Sequence, residues 1–320
     1  MLVVTPNTCL DVTTWLGALV PGTVSRATRT VTVAGGKGVN VCRTLRLLGR
    51  APRLLGLCPH DDDRLPRLLA AEGIPFLPVP HDGQGRLCLI LLEDGGRATV
   101  VNGLGPDPAG WEPATFLDRV DAALAEEPED TPLVVCSGSL PPGLPDDTYG
   151  RVVALAHARG AQALVDGSPA VLGAALPLGP DLVSPNLGEA EALIHGRADE
   201  HVEESGDEVV ERCVAAARAL HARGARRAVV TAGSHGAALA TAGGAWWLGA
   251  TPVPVANPIG AGDSFLGGTA DALLAGAPDA EAVRRGMAVA AAAVQHESGG
   301  VLDPALVAPA LAALPARVPA

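Results

Sequence analysis

From residue 132 onward, short apolar runs alternate with longer amphipathic ones. The segments 132–136 (PLVVC), 162–166 (QALVD), 181–184 (DLVS) and 226–231 (RRAVVT) are too short for helices and apolar at successive positions, which predicts strands buried on both faces. Between them, 146–159 and 207–223 place apolar residues at helical spacing, and the second stretch stops at Gly224, a residue suited to closing a helix. Strand, helix, strand in this order predicts an α/β fold: a doubly wound, mostly parallel sheet flanked by helices.

The first hundred residues follow another pattern. A short strand is expected at 2–5, and 24–33 alternates with Thr and Arg on one face. The runs LCLILLE (87–93) and ATVVN (98–102) are separated by Asp94-Gly95-Gly96, the composition of a hairpin turn. These segments predict a small sheet that projects from the large one. We expect 8–33 and 85–103 to act as a lid over a cleft, inserted in a single domain spanning 1–320; a purely structural edge sheet would show the same pattern. No repeat and no low-complexity linker divides the chain. The acidic run 197–210 reads as a solvated loop entering a helix.

Composition adds three constraints. Hydrophobic residues are 48% of the 320 positions but aromatics only 2%, so Val, Leu and Ala must fill the core, as in a parallel sheet between Ala-rich helices. A net charge of −12 excludes a nucleic-acid binder, which needs a basic surface, and leaves phosphate recognition to backbone amides and a few placed cations. The six cysteines (9, 42, 58, 88, 136 and 213) show no CxxC spacing and sit mostly in apolar runs, so they read as reduced core thiols. The first residues carry no basic stretch followed by a long apolar one, and no run reaches 18 apolar residues. A cytoplasmic protein without a membrane segment is expected.

The most informative segment is NPIGAGDSF (257–265), followed by the small, apolar LGGTADALLAG. Gly260 and Gly262 permit a tight turn with outward amides at the positive end of the following helix, a place for an anion. Asp263, in the first helical turn, either caps that helix or serves as a general base beside the bound anion; the surrounding glycines, which weaken a helix, favour the second. A second glycine cluster, AGGKGVN (34–40), precedes a helix with Val41, Leu45 and Leu48 on one face. It is neither GxxxxGK[ST] nor GxGxxG, so the P-loop and the dinucleotide fingerprint are excluded, and with them a nicotinamide-dependent oxidoreductase.

Together and in this order, about 220 residues apart, AGGKGVNV and NPIGAGDSF resemble the two signatures of the PfkB, or ribokinase-like, carbohydrate kinases. The resemblance extends to TPNTCLD (5–11), SGSLPPGLP (137–145), PNLGEAE (185–191) and VVTAGSHGAAL (229–239). It implies an ATP-dependent kinase using Mg²⁺. Asp263 matches the base, and Gly260, Ala261 and Gly262 the anion hole. Asn186 and Glu189 match the element that organises Mg²⁺, Glu189 through water, while Thr231, Gly233 and Gly236 match the nucleotide loop. Asp11, Gly36, Lys37, Asn40, Arg86 and Asn102 lie where the family grips its sugar.

Within the family, TPNTCLD, SGSLPPG and the spacing from Arg86 to Asn102 are most similar to the 1-phosphofructokinase and tagatose-6-phosphate kinase branch, whose substrate already carries a phosphate. Arg86 matches the phosphate-binding Arg. Cys88 and Ile90, however, stand where the branch has Asn and Lys, and Ser184 where it has Lys. A phosphosugar is therefore the first reading, an unphosphorylated sugar or polyol the alternative, and a silent sugar-binding regulator on the same fold the third. The lid is also the expected contact of a homodimer.

Overall fold

Strand β1 (Leu2–Val4) is completely buried and starts the large sheet, as its three apolar residues require. The chain leaves that sheet for β2 (Cys9–Leu16) and β3 (Ala27–Gly35), then returns through α1 (Lys37–Leu47) to β4 (Arg53–Pro59), α2 (Arg64–Ala71) and β5 (Phe76–His81). It leaves again for β6 (Arg86–Glu93) and β7 (Ala98–Asn102) before α3 (Pro113–Ala125) and β8 (Leu133–Ser137). A regular succession follows: α4 (Thr148–Ala158), β9 (Gln162–Asp166), α5 (Pro169–Ala175), β10 (Leu182–Val183), α6 (Leu187–His195), α7 (Val209–Ala222) and β11 (Arg227–Thr231). Last come β12 (Gly236–Thr241), β13 (Gly244–Gly249), α8 (Ala261–Leu274), α9 (Asp279–Ala293), α10 (Val307–Ala313) and β14 (Val318–Pro319). This computed structural model describes residues 1–126, 133–196 and 208–320. Most of the acidic run 197–210 lies outside the described residues.

The large sheet has ten strands in the order β14-β13-β12-β11-β10-β9-β8-β1-β4-β5. Its centre, from β5 to β11, is parallel; β12, β13 and β14 are added antiparallel at one edge. One apolar cluster fills each face, and Val, Leu and Ala dominate both, with Phe116 and Tyr149 the largest wholly buried side chains. Burying one such aliphatic side chain contributes about 1.5–3 kcal/mol before entropy is counted, so the core rests on many small side chains rather than a few large ones. Strands expected at 162–166 and 226–231 are present almost to the residue. The one expected at 181–184 shrinks to two residues, because Pro185 has no N–H to continue the ladder.

The small sheet runs β3-β2-β6-β7. The expected hairpin of 87–93 with 98–102 is present as the antiparallel pair β6–β7, and 24–33 supplies most of β3; its antiparallel partner, however, is β2, a strand not expected from the sequence, while the strand expected at 2–5 belongs to the large sheet. The two halves join through a parallel pairing of β2 with β6, which sets Cys9 opposite Arg86 and Asp11 opposite Cys88. That pairing is non-local and has no signature in either hairpin alone.

Helix α8 is almost wholly buried, as its small and apolar sequence dictates. Glycines let it approach its neighbours: a Cβ at Gly268 would lie 2.7 Å from Val289 on α9, and one at Gly267 2.9 Å from Thr44 on α1. Thr44 Oγ1 also donates to Ser264 Oγ at 3.2 Å. The start of α8 is thereby held rigidly against α1.

Candidate active site

The turn before α8 is organised by its own side chains. Asn257 donates Nδ2 to the Glu297 carbonyl at 2.8 Å and accepts from Ile259 N–H at 2.9 Å. Gly260 takes φ 81°, and a Cβ there would lie 2.9 Å from Gly300 N, so only glycine fits. The Ala261 amide is bound to the Pro258 carbonyl at 3.2 Å, whereas the amides of Gly262 and Asp263 have no backbone acceptor among the described residues. A Cβ at Gly262 would meet nothing within 4 Å. The turn therefore offers two free amides to open space at the positive end of a 14-residue helix, the physical requirement for receiving an anion.

Asp263 does not cap its helix. The N-cap is Gly260 with no side-chain cap, and the carboxylate instead accepts from Asn40 Nδ2 on α1 at 2.8 Å. Asn40 is in turn held by Arg43 Nη1, which donates to its Oδ1 at 3.0 Å, while the rest of the Arg43 guanidinium grips Glu72 and the Ala34 carbonyl. The Asp263 side is buried, 6% exposed. Burial pushes its carboxyl up to about 6, against the opposing attraction of Lys37 and the hydrogen bond from Asn40. Asp166 and Asp11 add negative charge that raises it further.

Lys37, the first residue of α1, projects between the strand ends. Its Nζ donates to Asp166 Oδ2 at 3.2 Å and lies 3.9 Å from Glu189 Oε1. The Asp166 carboxylate is the main reason its ammonium is held above the ordinary lysine value. Glu189 also closes a capping box at the start of α6: its Oε2 accepts from Asn186 N–H at 2.9 Å, and Asn186 Oδ1 accepts from Glu189 N–H at 2.8 Å. The N-x-x-E pattern thus has a helix-starting role as well as a place in the cleft. Asn186 bridges to Thr231 at the end of β11, which leads into the exposed turn containing Gly233 at φ 49°. Gly236 differs. It is buried with φ 136°, and a side chain there would collide with the Leu248 carbonyl of β13, so its glycine serves strand pairing.

On the small sheet, Gly35 leaves room for Asp11, whose carboxylate occupies the space a Cβ would take. Gly36, at φ 114°, lets the chain turn from β3 into α1. Arg86 donates Nε to the Gly103 carbonyl at 2.7 Å and Nη1 to the Asn7 carbonyl at 3.0 Å, which fixes the guanidinium and leaves Nη2 without a protein acceptor among the described residues. Asn102 lies exposed opposite Cys88. Cys9 donates its Sγ to Asp11 Oδ1 at 3.2 Å. The neighbouring Cys9 and the charge of Arg86 pull the Cys88 thiol down to about 7, while the proximity of Cys88, burial and Asp11 push the Cys9 thiol up. Arg97 pairs with Glu93 within the β6–β7 hairpin.

The sequence matches the family described as "pfkB family carbohydrate kinase" over residues 5–305. The chain belongs to the PfkB family. It is accordingly an ATP-dependent sugar kinase with the ribokinase-like fold, and no helix among the described residues is long and apolar enough to cross a membrane. This PfkB chain is 29% identical over 323 aligned positions to the 1-phosphofructokinase of Escherichia coli (strain K12), covering 98% of this chain and 96% of that one. Among solved structures, it superposes on Escherichia coli phosphofructokinase-2 in complex with potassium with a TM-score of 0.86 at 27% identity. On the same enzyme in complex with fructose-6-phosphate the TM-score is 0.83 at 26% identity; each comparison covers 98% of both chains.

Among the residues expected in the PfkB site, Lys37, Asn40, Glu189 and Asp263 meet in one cluster, and Asp11 and Arg86 stand together on the small sheet. Sequence reasoning missed Asp166, Arg43 and Asn7. Asp166 ends an apolar strand, and a terminal Asp is also an ordinary strand boundary. Asn7 donates to the Leu104 carbonyl and Ser139 Oγ, at 2.9 and 3.1 Å, and so ties TPNTCLD to the turn after β8.

Proposed function

We propose that the protein transfers the γ-phosphoryl group of Mg-ATP to a hydroxyl of a phosphosugar, with Asp263 as general base. The observation that carries this is a buried carboxylate, fixed through one oxygen by Asn40, at the mouth of a turn with two free amides. Its second oxygen remains for a substrate hydroxyl. Asp263 takes that hydroxyl's proton as the oxygen attacks phosphorus, and the Gly262 and Asp263 amides, with Gly260 shaping the turn, stabilise charge on the transferring group. Ala261, its own amide already bound, contributes by position alone. Lys37 sits between Asp166 and Glu189 and supplies the nearest positive charge to the same group.

Asp166 and Glu189 are hard oxygen donors facing one cation, a set that suits Mg²⁺ held through water, with Asn186 orienting Glu189. Bound there, the ion neutralises charge on the β- and γ-phosphates. Thr231 and Gly233 border the nucleotide, with Gly236 supporting the turn from behind. Asp11, Gly36 and Asn40 border the sugar.

The phosphosugar reading draws support from the names of two relatives, a 1-phosphofructokinase and a phosphofructokinase-2 in complex with fructose-6-phosphate. Arg86 Nη2 is the group we assign to the substrate phosphate, with Asn102 at the rim. Cys88, Ile90 and Ser184 carry no positive charge, which favours a free sugar instead. An ADP-release assay with fructose 1-phosphate, fructose 6-phosphate, tagatose 6-phosphate and free hexoses decides between them: the highest kcat/KM is expected with a phosphosugar, and a free hexose turned over best would overturn that choice. We further propose that the small sheet is the lid, formed by 8–33 and 85–103, and the contact of a cytoplasmic homodimer. Leu87, Leu89 and Val101, on the face turned away from Asp11, are 41%, 39% and 53% exposed and would be covered there.

A further inference from the structure

The parallel pairing of β2 with β6 assembles a second group of reactive side chains beside the sugar position. Residues 9 and 11 of β2 project to one face, and Cys88 lies directly opposite Asp11 on the same face. One donor atom from each of Cys9, Asp11 and Cys88 lies within 4.8 Å of the other two. We propose that these three side chains form a site for one thiophilic divalent cation, Zn²⁺ by its chemistry, and that its occupancy excludes the sugar. The second half rests on our assignment of Asp11 to sugar binding; the first does not.

Geometry and donor chemistry both favour a metal over the alternatives. Zn–S bonds of about 2.3 Å place two tetrahedral thiolates about 3.8 Å apart, which side-chain rotation reaches from the present spacing. A disulfide is harder to form. Cys9 and Cys88 are diagonal across the pair, and a strand spacing of about 4.8 Å with two rises of about 3.3 Å sets their Cα atoms about 8 Å apart, beyond the limit of about 7 Å for a bridge. Two sulfurs with one carboxylate select a borderline or soft cation over Mg²⁺, whose place beside Glu189 has only oxygen donors. On ligation each thiol releases its proton to water, and two thiolates, one carboxylate and Zn²⁺ sum to one negative charge. Arg86, opposite Cys9, balances it. Three protein donors leave the fourth position of a tetrahedral Zn²⁺ to water, as in zinc sites that keep an exchangeable ligand. The cation would hold the Asp11 oxygen that otherwise accepts from a sugar hydroxyl.

The test titrates Co²⁺, a spectroscopic stand-in for Zn²⁺, into the reduced full-length protein. Thiolate-to-cobalt charge-transfer absorption saturating at one equivalent, bleached by Zn²⁺ and lost in Cys88→Ser and Cys9→Ser, is the expected result. Absence of the band in the wild type overturns the site, as does a band that survives both substitutions. Should one thiol variant fail to fold, the other carries the comparison. In protein prepared without reductant, a Cys9–Cys88 disulfide located by peptide mapping would likewise overturn it. Kinetics test the second half: at free Zn²⁺ of about ten times its Kd, the apparent KM for the sugar should rise about elevenfold with KM for ATP unchanged. Zn²⁺ that binds with the expected spectrum yet leaves the sugar KM unaltered refutes the competition, and with it the placing of sugar on Asp11, while the metal site stands.

Discussion

Replacing Asp263 with Asn should lower activity and raise stability at once, and the two effects have separate origins. Asn has nearly the same shape and can still accept from Asn40 through its carbonyl oxygen, but it cannot take a proton, so kcat should fall by about 10²–10⁴ with little change in ATP affinity. The stability effect follows from the carboxyl being raised from its ordinary 3.8 to about 6 by burial. A carboxyl whose folded value lies above its unfolded one favours the fold fully below pH 3.8, and that contribution is lost as pH rises through about 6. At about 1.4 kcal/mol per factor of ten, the buried charge costs about 3 kcal/mol above pH 7. The Asn variant escapes this cost, so urea unfolding at pH 7.5 should show it more stable by up to about 3 kcal/mol, while at about pH 4 the two proteins should differ by less than about 1 kcal/mol. An Asn variant with near wild-type kcat refutes the base. A variant inactive but less stable at pH 7.5 refutes the burial account of the raised value.

The remaining predictions address the neighbours of that carboxylate and the choice of sugar. Asn40→Ala removes a hydrogen bond that lowers the Asp263 value, so the acid limb of the kcat profile should move to higher pH; an unmoved limb means that Asn40 does not orient the base. Arg86→Ala should raise KM for a phosphosugar by about 1.5–3 kcal/mol of binding with a smaller change in kcat, and should lower the ratio of kcat/KM for phosphosugar over free sugar. An unchanged ratio removes Arg86 as the phosphate anchor. Chelating Mg²⁺ should abolish phosphoryl transfer while leaving the thermal midpoint nearly unchanged; unfolding on chelation alone would show a structural metal instead.

How much of this was readable beforehand depended on whether the cause was local. Strands β9 and β11 and helix α4 were legible because apolar runs bounded by Gly, Pro and Asp have few other solutions. The turn before α8 was legible for a similar reason, since its glycines have no helical use. Asp166 was not, because its role exists only once β9 lies beside the start of α1. Cys9 and Cys88 looked like two unrelated core thiols until the parallel β2–β6 pairing set them on one face. The N-x-x-E element shows a third situation: its sequence is also that of a capping box, and the fold uses it as one whatever else it does.

The contact between Asn40 and Asp263 also bears on how the protein is made. Its partners are 223 positions apart, and the residues that close around them reach as far as Gly300, which crowds both Asn40 and Gly260. A growing chain emerging from the ribosome can complete β1, the small sheet and most of the parallel strands while still lacking the helix that bears Asp263. Until synthesis has passed residue 300, such a chain has Lys37 already paired with Asp166 but Asn40 without its Asp263 partner, and cannot consume ATP.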